Sequence, residues 1–551
     1  MKINRRSAAV PAVALLALLS ISMASAGASS GTPASKAQST RTATEPAFST
    51  VSGGEVMGAK VDGVYQFKGI PYASVKRFEK PQAAAWDGIK KALSYGEVCP
   101  NGADKVNSYD FAGPTAQDMV ENENCLNLNV WSTSTDPAAK KPVVVWIHGG
   151  GLSSGSSGEL AFYDGHNFAE DEDVVFVSLN SRLNVLGYLD LSGYGDAYTG
   201  TGNLGQLDQV AALEWVQKNI SLFGGDPSAV TIIGQSGGAA KVEALMAMPS
   251  AQGLFQRAVA MSGSVWAVTQ DEARASSAKV FQKLGISKVE ELKALPYDEI
   301  LVAAKEAGFV PGIVIDGSVV PVAPVQDGVF SPISKNVPLL TTNNFGEFSS
   351  NVINATGFDV AADPLKDVYK PELTPGRVQE LLDERFGVWK DKIVGEFQKQ
   401  FPNHDVVDVL YMSTLPFVSR TTSADPKSAT AGGAPVYSAL FAWELPFFGG
   451  TVSYHTSGDL PFIFDNTDKI PALVAGAEKE AQAFSDVTSS ALANFVRTGN
   501  PGGAGKNAWP AYTKTDQWTM VFDDKSRLVN SPDRMLIEMI NAADAGKPLS
   551  S

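Results

Sequence analysis

Residues 231–240 read TIIGQSGGAA. A β-branched run enters a turn in which three glycines surround one serine, and small residues follow. A surface loop also favours glycine and serine for turn geometry alone, so the flanks have to decide the reading. VTII at 230–233 has the composition of a strand, and AAKVEALMAM at 239–248 can begin a helix whose small residues let it pack closely on a sheet. Strand, sharp turn and helix together describe a nucleophile elbow. Glycines at 234 and 238 relieve the crowding of such a turn and push the serine hydroxyl out above the strand ends. Ser236 is therefore the candidate nucleophile.

Working outward, further apolar runs end in glycine or polar turns: VVVWI at 143–147, VVFVSL at 174–179 and AVAM at 258–261. Between them lie helix-length segments such as 204–220, where Leu207, Val210, Ala211, Leu213 and Val216 recur at helical spacing. Strands alternating with helices predict a parallel sheet covered on both faces. Residues 268–306 and 372–412 are richer in charge and helical pattern, and read as helical insertions over a sheet edge or a site mouth.

An elbow serine needs an acid and a histidine, which follow it in that chain order in this kind of fold. Of the four histidines, only His404 and His455 lie after Ser236. His404, in FPNHDVVDVLYM, reads as an exposed structural histidine of a helical stretch. His455, in GGTVSYHTSGDLPFIF, lies in a glycine- and serine-rich loop, where catalytic groups belong. A buried carboxylate that orients an imidazole leaves no local pattern, so Asp316, Glu347 and Asp359 all remain candidates. Asp316 precedes glycine and reads as a turn residue, while Glu347 can stand at the carboxyl end of a strand. The run HGGG at 148–151 directly follows the strand VVVWI, and glycines there let backbone N–H groups converge on a developing oxyanion. No GK[ST] follows to make it a phosphate loop. His148 has no second histidine or carboxylate at metal-ligand spacing.

Bulk properties narrow the class. A net charge of −15 and a pI near 4.9 disfavour nucleic acid and anionic membrane surfaces as partners. Residues 1–26 combine basic residues, an apolar run and the small-residue pattern Ala24, Ser25, Ala26, as in a secretory signal peptide; the run is shorter than the roughly 20 residues of a spanning helix. Residues 27–46 are small, polar and aperiodic, as expected of a flexible leader. The rest, 47–545, is expected to be a single domain, exported to the extracellular or periplasmic space without a stable membrane anchor. Cys99 and Cys125 are the only cysteines, and two thiols in an exported chain are expected to pair.

Together with FKGIPYA at 67–73, RFEKP at 77–81, NCLNLNVW at 124–131, GNLGQLDQVAALEWVQKNISLFGGDP at 202–227, FVRTGNP at 495–501 and WPAY at 509–512, these motifs resemble the type B carboxylesterase/lipase family, which includes the cholinesterases. The resemblance runs from about Phe67 to Phe522. It implies an α/β-hydrolase fold, with a central, mostly parallel sheet flanked by helices and helical insertions. It also implies ester hydrolysis by Ser236, Glu347 and His455, since Asn344 and Glu347 match the family's N-x-x-E segment, and a Cys99–Cys125 loop disulfide.

The departures are specific. Gln235 and Gly237 stand where the family often has glutamate and alanine, which removes a negative charge beside the serine and makes the elbow more flexible. FGEFSS replaces the usual DEG around the acid. The cysteine loop 101–124 offers Tyr109 and Phe111 but no tryptophan, so the indole platform that cholinesterases use for quaternary ammonium is missing and choline esters are not expected substrates.

The expected mechanism is two-step acyl transfer on a small-molecule ester. The N–H groups of Gly150, Gly151 and Gly237 bind the oxyanion, and no metal or organic cofactor takes part. Leu152, Trp443, Phe447 and Phe448 are candidates for the pocket, with core as the ordinary reading for such apolar residues. An amide, peptide or lipid hydrolase with the same triad is the alternative, and a non-catalytic binding protein of the same fold is a more distant one.

Overall fold

The segment KPVVVWI forms a strand, Lys141–Ile147. Its apolar run is unbroken because both of its faces are covered. Val143, Val145 and Ile147 enter one core, while Val144 and Trp146 enter another on the opposite face of the same sheet. The computed structural model describes residues 43–101, 119–350, 369–503 and 509–547. All of these fall in one compact unit, Arg41–Ser551.

Among the described residues the main sheet has thirteen strands. They are β1 (Ala43–Val51), β2 (Gly54–Val61), β3 (Val64–Pro71), β4 (Ile89–Lys91), β5 (Asn127–Ser132), β6 (Lys141–Ile147), β7 (Val175–Leu179), β8 (Gly225–Gln235), β9 (Arg257–Met261), β10 (Leu339–Asn344), β11 (Val436–Phe441), β12 (Trp518–Phe522) and β13 (Arg527–Asn530). The spatial order is β1-β2-β3-β5-β7-β6-β8-β9-β10-β11-β12-β13, with β4 beside β2. From β7 through β6, β8, β9, β10 and β11 to β12 every pairing is parallel. The strands before β7 and the last, β13, pair antiparallel along the order, so the sheet is mostly parallel with antiparallel margins.

Helices cover both faces, as the alternating pattern requires. On one face, α1 (Leu204–Asn219) packs Val210, Leu213 and Val216, and α2 (Gly237–Leu245) packs Val242 and Leu245, against the strands. The expected insertions contain α3 (Gln270–Leu284) and α4 (Tyr297–Glu306), then α5 (Pro375–Phe386) and α6 (Lys390–Gln400). The first packs into a cluster with Phe78, Val185 and Leu189, and the second into one with Phe345, Leu440 and Val521 of the sheet side. On the other face of the sheet, α7 (Glu478–Thr498) contributes Phe484, Leu492, Phe495 and Val496.

The leader boundary needs one correction. β1 begins at Ala43, so residues 43–46 are not leader but pair with β2, Pro46 opposite Ala59. Composition concealed this because backbone pairing at a sheet edge tolerates small and polar side chains. Residues 1–26, expected to be a signal peptide, lie outside the described residues, as do Tyr109, Phe111 and Asp359. Among the described residues no helix is long and apolar enough to cross a membrane.

Candidate active site

β6, β8 and β10 run in parallel and end side by side, and the loops that leave their carboxyl ends carry the candidate residues. β8 ends at Gln235, and Ser236 takes φ 58° and ψ −123°, a strained backbone for a residue with a Cβ. The turn is held by its surroundings. Ser236 N–H donates to Met261 O of the neighbouring strand at 2.8 Å, and Ser236 O accepts from Ala240 N–H at 3.2 Å in α2. Within 231–240, Ser236 alone is not fully buried. A Cβ at Gly234 would overlap the Gly238 carbonyl, and one at Gly238 would overlap Ile147 O, so both glycines are required by close approach.

The glycine run after β6 lies against this turn. Gly150 and Gly151 have φ of 82° and 63°, a region open to glycine. The carbonyl of Gly150 is turned into its own loop, accepting from Ser154 N–H at 3.0 Å. A Cβ built on Gly237 would overlap the carbonyl and Cα of Gly151. Gly237 is helical and needs no positive φ. Its missing side chain allows the close contact between elbow and glycine run. The first N–H groups of a helix have no partner within it, and that of Gly237 opens α2 beside Gly151.

Glu347 and His455 meet although 108 positions separate them: Nδ1 of His455 is 2.9 Å from Oε2 of Glu347. Glu347 is 1% exposed and His455 3%. The other carboxylate oxygen, Oε1, accepts from Asn344 N–H at 2.9 Å and Asn343 Nδ2 at 3.0 Å, so both oxygens have hydrogen-bond partners. Backbone pairing aligns the two loops, His455 N–H donating to Glu347 O at 2.8 Å. The Phe348 ring lies 4.2 Å from the imidazole, centroid to centroid. The Thr456 hydroxyl reaches Oε1 of Gln235 at 3.5 Å, which ties the histidine loop to the residue before Ser236.

The other candidates fall elsewhere. Asp316 is a turn residue, its Oδ1 accepting from the N–H groups of Ser318, Val319 and Val320. Leu152 and Trp443 are core residues, Trp443 stacked on Phe484 at 5.2 Å, while Phe448 is exposed and lies edge-on to Tyr369. His404 is not an exposed residue of a helix face. It follows the end of α6, is buried, and stacks on Phe345 at 5.3 Å. Its nitrogens lie 3.5 Å from Asp408 and 3.6 Å from Asp523. Burial alone would lower its pKa, but the two carboxylates outweigh that and carry it up to about 9. His404, Asp408 and Glu444 bring their ligand-type atoms within 4.8 Å of one another. The Lys370 ammonium sits 2.5 Å from both carboxylates, so this cluster balances its charge as ion pairs.

Sequence reasoning missed Asn343 and Asp459, and gave Asn344 only as part of a motif. Asn343 donates to the carboxylate, and Asn344 also joins Ser453 at 2.8 Å and Ser262 at 3.3 Å through its side chain. Asp459 is buried near His455 and Glu347, and burial pushes its carboxyl up to about 7, the His455 charge opposing and the Glu347 charge adding. Four residues after the histidine and just before LPFIF, it could have been noticed only as a charge leading an apolar run.

The chain is similar to known esterases over nearly its whole length. The model of the Carboxylesterase family matches residues 44–538. Para-nitrobenzyl esterase of Bacillus subtilis is 32% identical, the match covering 88% of this chain and 96% of that protein. Liver carboxylesterase of Sus scrofa is 29% identical, with 92% and 93% covered. Among solved structures, an esterase from Clostridium hathewayi described as hydrolysing aliphatic aromatic polyesters superposes with a TM-score of 0.79 at 34% identity, covering 91% of this chain and 99% of that one.

Proposed function

Since this chain belongs to the carboxylesterase family and is a carboxylic ester hydrolase with the α/β-hydrolase fold, we propose that Ser236, Glu347 and His455 carry its reaction through an acyl-enzyme. The observation that carries this reading is the buried 2.9 Å pair of Glu347 and His455 at the same sheet end as the strained turn at Ser236. Nε2 of His455 takes the hydroxyl proton as Ser236 Oγ attacks the ester carbonyl. Glu347 holds the Nδ1–H tautomer and stabilises the imidazolium that forms. The N–H groups of Gly150, Gly151 and Gly237 receive the negative oxygen. His455 then returns the proton to the leaving alcohol, and water, deprotonated by the same imidazole, releases the acid.

The substrate class is a small-molecule ester. With Gln235 neutral beside the serine, and no tryptophan in the cysteine loop, uncharged alcohol groups suit the site better than quaternary ammonium ones. Export through the segment 1–26, and one mature domain to about residue 545, complete the proposal. The Cys99–Cys125 disulfide supports an oxidising destination.

Hydrolysis of a chain-length series of p-nitrophenyl esters by the wild-type protein and by Ser236→Ala tests the reading. Turnover in the wild type should fall by about 10⁶-fold in the variant. Equal rates in the two proteins would remove Ser236 as the nucleophile, and the preferred acyl length would size the pocket.

A further inference from the structure

Helix α2 leaves the elbow carrying two charged side chains that are wholly buried, Lys241 and Glu243. They anchor segments that follow two different strands. Glu243 accepts from the N–H of Val265, in the segment after β9, at 2.8 Å. Lys241 reaches the other way, its Nζ donating to the carbonyl of His148 at 3.1 Å. That carbonyl is the last one before the glycine run. A Cβ at Gly238 would lie 2.9 Å from the same oxygen, so the helix is already pressed against this peptide.

Burying an ammonium costs several kcal/mol, and an apolar side chain at 241 would suffice to fill space. What only a donor provides here is a fixed orientation for the His148–Gly149 peptide. We propose that Lys241 is a positioning residue for ester hydrolysis: its ammonium, by holding the His148 carbonyl, sets the direction in which residues 149–151 leave β6 and keeps their N–H groups aimed at the oxyanion. This rests on the reading of Gly150, Gly151 and Gly237 as the oxyanion site. A hydrogen bond from a cation also polarises the peptide it grips and strengthens the donors beyond it.

Two titratable groups bear on the ammonium. The His148 imidazole is itself buried, with its pKa held well below the ordinary value by burial and by the Lys241 charge, so it is neutral. Glu159, half-buried, supplies a negative charge. Burial pushes the Lys241 ammonium down to about 7, with Glu159 opposing, so it is lost within the range where esterases are assayed. The neutral amine that remains donates more weakly.

The test is the pH dependence of kcat and KM for p-nitrophenyl butyrate, measured on the wild type, Lys241→Met, Lys241→Gln, Glu159→Gln and Ser236→Ala. The wild type should show an alkaline decline in kcat. Lys241→Met should lower kcat by about 10- to 100-fold with KM little changed, as for a misplaced catalytic group. Lys241→Gln, which keeps a donor without the charge, should recover much of kcat but show no decline. Glu159→Gln should keep the maximum and move the decline to lower pH, because the charge that stabilises the ammonium is gone. That variant keeps the test alive if Lys241→Met does not fold. The proposal is overturned if Glu159→Gln leaves the alkaline limb in place, or if Lys241→Gln retains it. If Ser236→Ala is inactive while these variants trace the wild-type profile, only the role of Lys241 fails. If Ser236→Ala retains activity, the triad reading fails with it.

Discussion

Gly237 shows how much can depend on one missing methyl group. A Cβ at 237 would overlap the Gly151 carbonyl, so the elbow and the glycine run pack against each other without room for a side chain. Gly237→Ala should therefore displace the glycine run while leaving the chain folded. A displacement of about 1 Å at reacting groups costs roughly 100-fold, and kcat for p-nitrophenyl butyrate should drop by about that factor with an unchanged thermal midpoint. A variant with wild-type kcat would mean that the loop shifts without consequence. At this scale Ser236 and His455 stood out as candidates from their immediate neighbours, because turn glycines and a polar loop are local signals. Glu347 was one of three open carboxylates until the N-x-x-E resemblance selected it. Asp459 and Lys241 carried no local sign of being buried, since burial depends on what the chain packs against them.

Among elements, the disulfide is the most separable part. Cys99 and Cys125 are bonded across 26 positions, and Cys125 stands just before β5. The bond joins the chain that follows β4 to the sheet. In the chain-entropy account a loop of this length contributes about 3–4 kcal/mol. The double variant Cys99→Ala/Cys125→Ala should lose about that much stability in urea unfolding, and reduction of the wild type should mimic it. Equal stability of oxidised wild type and double variant would show that the loop closes without the bond. The strands and helices that flank the site were legible from their alternation, since both faces of the central strands are apolar and helix-length segments separate them. The start of β1 was not, because an edge strand is defined by the neighbour it pairs with rather than by its own apolar content.

Across the whole molecule, the insertion after β10 is fastened to the sheet by a buried ionic knot. His404 after α6 reaches Asp523, just past β12, while Lys370 joins Asp408 to Glu444, just past β11. With a pKa near 9 in the folded protein and about 6.5 when unfolded, the His404 imidazolium stabilises the fold fully below about pH 6.5. That contribution declines as pH rises and is lost above about 9. The gap of about 2.5 units corresponds to roughly 3 kcal/mol. Wild type and His404→Gln, unfolded in urea across pH 5 to 10, should differ by about this amount at the acid end and converge at the alkaline end. A difference independent of pH would mean that His404 stabilises by stacking on Phe345 alone.

What the sequence by itself determined is whatever follows from forces acting over a few residues. The turn around Ser236, the glycine run after β6, the alternation of strands and helices, and the loop that holds His455 are all products of backbone sterics and side-chain periodicity, and all were legible. Local pattern left three carboxylates open and the N-x-x-E resemblance selected Glu347; the tertiary structure then showed it facing the imidazole across 108 positions of chain. The tertiary structure alone decided that His404 is buried between carboxylates, that Gly237 touches Gly151, and that Lys241 grips the carbonyl just before the glycine run. These depend on distance in space, and burial alters the energy of a charge or a contact in ways that neighbours along the chain do not reveal.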